Sequence, residues 1–230
     1  MGAEPRRDAP ERMVAYAVIF LGAPGAGKGT QAREMSARFG VPQISTGDML
    51  REAIAGHSPL AWAIKARMEA GELVTDEVVC DLVEERIGRP DGANGFILDG
   101  FPRTLKQADF VDRLLADQGH GAPLALNIVV DQEVLLKRLT GRRTCPVCGR
   151  IYNMYFNPPL ADEVCDVDGA RLVQRADDQE AAIRQRLVAY DGETKPLIEH
   201  YRERQLLRDV NGNGDREAIA EELARILRGA

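Results

Sequence analysis

The chain has 230 residues, 44% of them hydrophobic, and its 36 acidic against 30 basic side chains leave a net charge of -6. A core of ordinary size can therefore be buried in one large domain or in a core with small insertions, while the acidic balance disfavours a non-specific nucleic-acid binder and leaves room only for a local basic cleft. No apolar run approaches the roughly 18 to 20 residues that span a bilayer and no signal peptide is visible, so a cytoplasmic protein without membrane contact is expected.

The opening "MGAEPRRDAPER" (1–12), with two prolines and no apolar periodicity, is expected to be a disordered leader, the first foldable stretch beginning at Met13. Short apolar runs then alternate with helical patterns. "AYAVIFL" (15–21), "GFILDG" (95–100), "LALNIVV" (124–130) and "LLRDV" (206–210) read as buried strands. Helical patterns fit 28–39, 47–55, 60–70, 75–87, 104–118 and 131–140, then a long stretch from 178 to 204 bent near Pro196, and last 215–228. This alternation implies a parallel sheet with helices on both faces. Residues 45–74 and 141–177 fit it poorly and read as small subdomains inserted into a nucleotide-binding core.

"GAPGAGKGT" (22–30) directly follows the first strand and opens a helix, the context that makes a glycine-rich string a phosphate-binding loop. Gly22, Gly25 and Gly27 let the backbone curl so that successive amides face inward, where the positive end of the helix dipole favours an anion. Lys28 adds a full charge for the β- and γ-phosphates. The residue after the lysine is Gly29, and the hydroxyl comes one place later at Thr30, so Mg²⁺ is expected to be held mainly by phosphates and waters. Asp99, at a strand end facing the phosphate site, is a candidate partner for those waters.

Three of the four cysteines, Cys145, Cys148 and Cys165, stand in C-x2-C-x16-C spacing, and Asp168 follows where a fourth ligand would be expected. Paired short spacings match two-knuckle structural zinc sites, in which a carboxylate can serve as one ligand. Three thiolates and a carboxylate leave no open position, so such a zinc would hold its segment together and would not activate water. Cys80 reads as a core thiol on a helix, Trp62 as a packed side chain, and His57, His120 and His200 as scattered surface residues.

Three further strings carry a specific likeness: "ISTGDMLR" (44–51), "LDGFPRT" (98–104), and "GRR" (141–143) followed by "RADDQEAAIRQRL" (175–187). With "GAPGAGKGTQ", in this order, they resemble the adenylate kinases, which interconvert ATP plus AMP with two ADP. The resemblance implies a P-loop three-layer α/β/α fold with a five-stranded parallel sheet and two inserted subdomains. The core would comprise 13–44, 75–140 and 179–230, the AMP-binding domain 45–74, and a zinc-stabilised lid 141–178. It also implies a monomer acting on ATP, AMP and ADP with Mg²⁺, in adenine nucleotide homeostasis.

By position, the resemblance assigns ATP contacts to Gly25, Ala26, Gly27, Lys28, Gly29, Thr30, Arg138, Arg142, Ile151, Tyr152 and the backbone of Gly214. AMP contacts fall to Thr46, Arg51, Glu72, Leu73, Val74, Gly100, Phe101, Pro102, Arg103 and Gln107. Arg175 and Arg186 complete the arginine set that, with Lys28, Arg103, Arg138 and Arg142, closes over the transferring phosphoryl group. Phosphoryl transfer needs positioning and charge neutralisation more than covalent catalysis, so these groups suffice. Thr46 could instead cap the helix that follows it, and Asp177 and Asp178 suit a helix start as well as a role in steering arginines. A kinase for UMP or CMP is the nearest rival function; from another class, a zinc module that binds nucleic acid or a protein is the alternative.

Overall fold

The computed structural model describes residues 11–54 and 58–229. Eight of the first ten elements alternate strand with helix, and two further helices stand between β2 and β3: β1 (Ala17–Leu21), α1 (Lys28–Phe39), β2 (Gln43–Ser45), α2 (Thr46–Ile54), α3 (Pro59–Ala70), α4 (Asp76–Ile87), β3 (Phe96–Asp99), α5 (Leu105–Asp117), β4 (Leu124–Val129) and α6 (Gln132–Thr140). A hairpin of β5 (Arg142–Thr144) and β6 (Ile151–Asn153) comes next, then α7 (Glu180–Ala189), α8 (Pro196–Glu203), β7 (Leu207–Asn211) and α9 (Arg216–Arg228). The main sheet runs β2-β3-β1-β4-β7, and every pairing in it is parallel.

Why these runs become strands is visible in which face each residue serves. In β1, Ala17, Ile19 and Leu21 join one apolar cluster while Val18 and Phe20 join the other; β3 divides in the same way, with Phe96 and Leu98 against Ile97. Successive side chains of a strand point to opposite faces, so a strand covered on both sides must be apolar throughout. One face is covered by α4, α5 and α8 through Val83, Val111 and Leu197, the other by α1 and α9 through Met35 and Leu223. The helix ends are set by local chemistry: Ser58 and Thr104 accept amides at the starts of α3 and α5, while Gly40 and Gly71 close α1 and α3 in left-handed conformation.

Several expectations are adjusted here. The four apolar runs are strands, but the fifth strand, "QIS", has no such run and owes its conformation to pairing with β3 (Gln43 beside Ile97, Ser45 beside Asp99). The long helix expected over 178–204 is broken into α7 and α8 by a π-helical turn at Tyr190–Thr194, just ahead of Pro196. Trp62 does not pack; it is 70% exposed, because α3 turns Ala61 and Ile64 inward instead. Cys80 packs against the core on α4 as expected. The leader lies outside the described residues as far as residue 10, and Glu11 is tied to the fold by ion pairs with Arg38 and Arg228. His57 also lies outside the described residues, whereas His120 stacks on Tyr16 and His200 touches Arg204. No described helix is long and apolar enough to cross a membrane.

Candidate active site

The carboxyl ends of the parallel strands open into one cavity of about 890 Å³, lined by the loop after β1, the start of α2, the segment 71–74, the loop after β3, the β5–β6 hairpin and the loop after β7. Ligands of open α/β sheets bind at this edge, where loops diverge from the strand ends. The loop after β1 is shaped by Gly22, Gly25 and Gly27, each at positive φ, and Gly27 is the residue from which α1 starts. No side chain caps α1 and its first turn holds no acidic residue, so its amino end is left for an anion.

Lys28 folds back over this loop, donating to the carbonyls of Gly22 at 2.7 Å and Ala23 at 3.0 Å. Burial pushes its ammonium down to about 8; Asp99 pulls the other way, and Arg103, Arg186 and Arg142 add to the depression. Asp99 itself is raised by burial, against the pull of Lys28 and a hydrogen bond from Gln43. The space beside Gly29 explains the missing hydroxyl: a Cβ there would stand 3.0 Å from Asp99 Oδ2. A carboxylate thus occupies the side of the loop where the residue after the lysine would otherwise point.

Arginines line the opposite wall. Arg103 donates to the Gly100 carbonyl at 2.8 Å, and burial beside Arg186 brings it down to about 10. Arg175 is likewise brought to about 10 by burial near Arg51 and Arg142, and it is held by Thr144 Oγ1 at 3.1 Å. Arg138 reaches the carbonyls of Ala26 (3.2 Å) and Gly212 (2.9 Å) and lies over the Phe156 ring at 5.9 Å. Two carboxylates hold the remaining pair. Asp178, its side chain wholly buried, makes a two-point contact with Arg142 and accepts from Arg186 at 3.2 Å, while Asp177 meets Arg186 at 2.9 Å. Burial alone would lower Arg142, but its bond to Asp178 outweighs this and raises it.

The hairpin segment carries its own small cluster of buried residues: Cys145, Tyr152, Cys165 and Leu172. Cys145, Cys148, Cys165 and Asp168 bring their ligand atoms within 4.8 Å of one another. Amides of Val147 and Cys148 point at Cys145 Sγ at 3.4 Å, and Cys148 and Cys165 lie 3.6 Å apart at sulfur. A tetrahedral zinc with bonds of about 2.3 Å to sulfur sets a sulfur–sulfur edge of roughly 3.8 Å, so this donor set fits the ion. Asp168 is held down to about 2, first by the Ala170 amide and then by the thiols, and offers a carboxylate.

The family model described as Adenylate kinase matches residues 20–206. An adenylate kinase of Thermodesulfovibrio yellowstonii is 48% identical over 210 residues, covering 91% of this chain and 98% of its own. One of Archaeoglobus fulgidus is 49% identical with 91% and 97% covered, and one of Nitrosococcus oceani 47% identical with the same coverage. The chain belongs to the adenylate kinase family. It is accordingly a nucleoside monophosphate phosphotransferase built on the P-loop α/β fold.

Within this adenylate kinase, most of the residues singled out from the sequence converge on the one cavity. Gly25 through Thr30, Arg51, Glu72, Leu73, Val74, Gly100, Pro102, Arg103, Arg138, Arg142, Ile151, Tyr152, Arg175, Arg186 and Gly214 all line it. Three stand apart. The Phe101 ring is fully buried against Phe110, so only its backbone is available to the site. Thr46 and Gln107 line a small side cavity with Leu73 and Val79. Gln107 is already engaged, accepting from the Arg103 amide and donating to Asp76, both at 2.7 Å. Tyr152 is almost wholly buried, its hydroxyl turned inward to Cys165 and the Asp166 amide. Capping at the start of α2 is done by Ser45, which accepts the Asp48 amide at 3.3 Å, while Thr46 donates to the Gly100 carbonyl at 2.8 Å. Sequence reasoning missed Gln43, which belongs to no motif and carries no charge.

Proposed function

We propose that this chain transfers the γ-phosphoryl group of Mg²⁺-bound ATP reversibly to AMP, giving two ADP, and that Lys28, Arg103, Arg138, Arg142, Arg175 and Arg186 neutralise the charge that moves. The observation that carries this reading is the single cavity in which the phosphate loop and the arginine wall face one another. ATP would lie along Gly25 to Thr30 with its base toward Arg138, Ile151 and Gly214. AMP would occupy the side of Arg51, Glu72 to Val74, Gly100, Arg103 and Gln107. With reacting oxygens held in line and water kept out, the lysine and guanidiniums stabilise the spread of charge on the transferring group without a general base.

The assignment of 45–74 as the AMP-binding domain, 141–178 as the lid and the remainder as the core follows from this reading. Cys145, Cys148, Cys165 and Asp168 would hold a structural zinc, which supplies cross-linking to a segment whose own apolar cluster has only four buried residues. We read the protein as a cytoplasmic monomer. A coupled assay of ADP formation with AMP, UMP, CMP and GMP tests the proposal: AMP should be preferred, and a preference for UMP or CMP would transfer the site to another nucleoside monophosphate. Full activity in Lys28→Ala would overturn the enzymatic reading.

A further inference from the structure

Gln43 opens β2 and lies at the floor of the cleft. Its Nε2 donates to Asp99 Oδ2 at 3.0 Å and approaches the Gly29 carbonyl at 3.4 Å. Lys28 is engaged by the Gly22 and Ala23 carbonyls, so among the described residues Gln43 is the hydrogen-bond donor seated on this carboxylate. A Cβ at residue 29 would come within 3.0 Å of Asp99 Oδ2 and 4.0 Å of Gln43 Nε2. The carboxylate and the amide together fill the space beside the phosphate loop.

We propose that Gln43 is a positioning residue for phosphoryl transfer: its amide clamps one Asp99 oxygen beside Gly29, and so fixes where the other oxygen stands relative to the phosphate loop. A carboxylate free to rotate offers its second oxygen in many directions, whereas one tied through Oδ2 presents it in one. Hydrogen-bonded partners of this kind set the orientation of groups that meet a hydrated metal, and their loss costs about 10- to 100-fold in activity or metal affinity. Gln43 also favours the ionised carboxylate. The charged groups facing Asp99 are Lys28 from α1, Asp48 from α2 and Arg103 from the loop after β3; burial raises its proton affinity, and Lys28 and Gln43 oppose that rise. Removing the amide leaves Asp99 easier to protonate, so the acid limb of activity moves to higher pH.

The inference rests on the kinase reading above. The experiment compares Gln43→Leu, Asp99→Asn and the double variant by kcat, KM for each nucleotide, free-Mg²⁺ dependence and melting temperature, with Gln43→Met in reserve should the leucine variant not fold. Gln43→Leu should lose about 10- to 100-fold in kcat, keep its KM for AMP, need more free Mg²⁺ and lose activity at higher pH than the parent. In the Asp99→Asn background the same change should cost almost nothing, because its effect runs through the carboxylate. Carbon-13 NMR of aspartate-labelled, nucleotide-free protein should find Asp99 titrating at higher pH in Gln43→Leu. An undiminished loss in the Asp99→Asn background, or an unmoved Asp99 titration, overturns the inference. Absence of ADP formation by the parent protein would overturn the kinase reading instead, and the NMR titration stands apart from it.

Discussion

Asp178 offers the sharpest test of how the arginine wall is held. Its side chain has no exposure, and it faces Arg142 and Arg186, whose side chains are 17% and 21% exposed. Asp178→Asn keeps the volume and removes the charge, leaving two largely buried guanidiniums without their shared counter-ion. Breaking a buried pair in this way costs about 3–5 kcal/mol. Both arginines keep some solvent, and Arg186 keeps Asp177 at 2.9 Å, so the expected loss lies at the lower end, about 3 kcal/mol. At about 2–4 °C per kcal/mol for a chain of this size, the melting temperature should fall by about 6–12 °C.

Scanning calorimetry and denaturant unfolding of the nucleotide-free protein measure the first quantity, and steady-state kinetics the second. With Arg142 and Arg186 no longer anchored, kcat should fall by up to about 10²-fold, the scale attached to small misplacements of reacting groups. The competing explanation for an acidic pair ahead of a helix is capping, which is worth about 1 kcal/mol and leaves the chemistry alone. In the structure Gln179 sits at the cap position of α7 and no side chain caps the helix. A loss of 1 kcal/mol or less in Asp178→Asn, with kcat unchanged, would refute the ion-pair argument.

Lys28→Met should lower kcat by about 10²–10³-fold, as expected for removal of one preorganised donor to a transition state, with little change in thermal unfolding. In the empty site the Lys28 ammonium loses its proton near 8, so kcat/KM for ATP should decline above about pH 8 in the parent protein, and Lys28→Arg should move that limb upward. The sign for stability is the reverse: between about 8 and the unfolded value of 10.5 the unfolded chain binds more protons, so the nucleotide-free protein should gain stability relative to Lys28→Met as pH rises across that window. Metal analysis of reduced protein should find about one zinc per chain; chelation or Cys145→Ser should lower the melting temperature while turnover well below it is largely kept, and no bound zinc or no stability loss would refute the zinc assignment. Trp62→Ser, at a 70% exposed position, should change stability by no more than about 0.5 kcal/mol.

Most of the framework was legible in the sequence because it rests on local signals. Apolar runs gave β1, β3, β4 and β7, and period, caps and terminal glycines placed the helix ends within a residue or two of those observed, except for the break between α7 and α8. The strand β2 was not legible, since "QIS" behind Pro42 becomes a strand only through its neighbour β3. The same limit applies to individual roles. "DD" at 177–178 reads alike as a cap or a counter-ion; burial decides, and burial depends on the chain folding Arg142 and Arg186 onto the pair from either side. Phe101 sits inside a string that points to the site, yet its ring belongs to the core because Phe110 of α5 is packed beneath it. Gln43 carries neither charge nor motif, and only the approach of β2 to α1 and β3 gives it meaning.

The acidic balance of the whole chain and the basic character of its cleft are reconciled by where the charges sit. Six cations, Lys28, Arg51, Arg103, Arg142, Arg175 and Arg186, influence one another across the site, and four carboxylates, Asp48, Asp99, Asp177 and Asp178, answer them. The surplus is positive while the chain as a whole carries -6. Burial does most to lower Lys28, Arg103 and Arg175, and repulsion from their basic neighbours adds to it. A site completed by its own acids would gain nothing from a phosphate; one left short of negative charge gains each time a phosphate arrives, and gains most when charge spreads over the transferring group. The four carboxylates therefore hold the cations in place without satisfying them, and the substrates' phosphates supply the remainder.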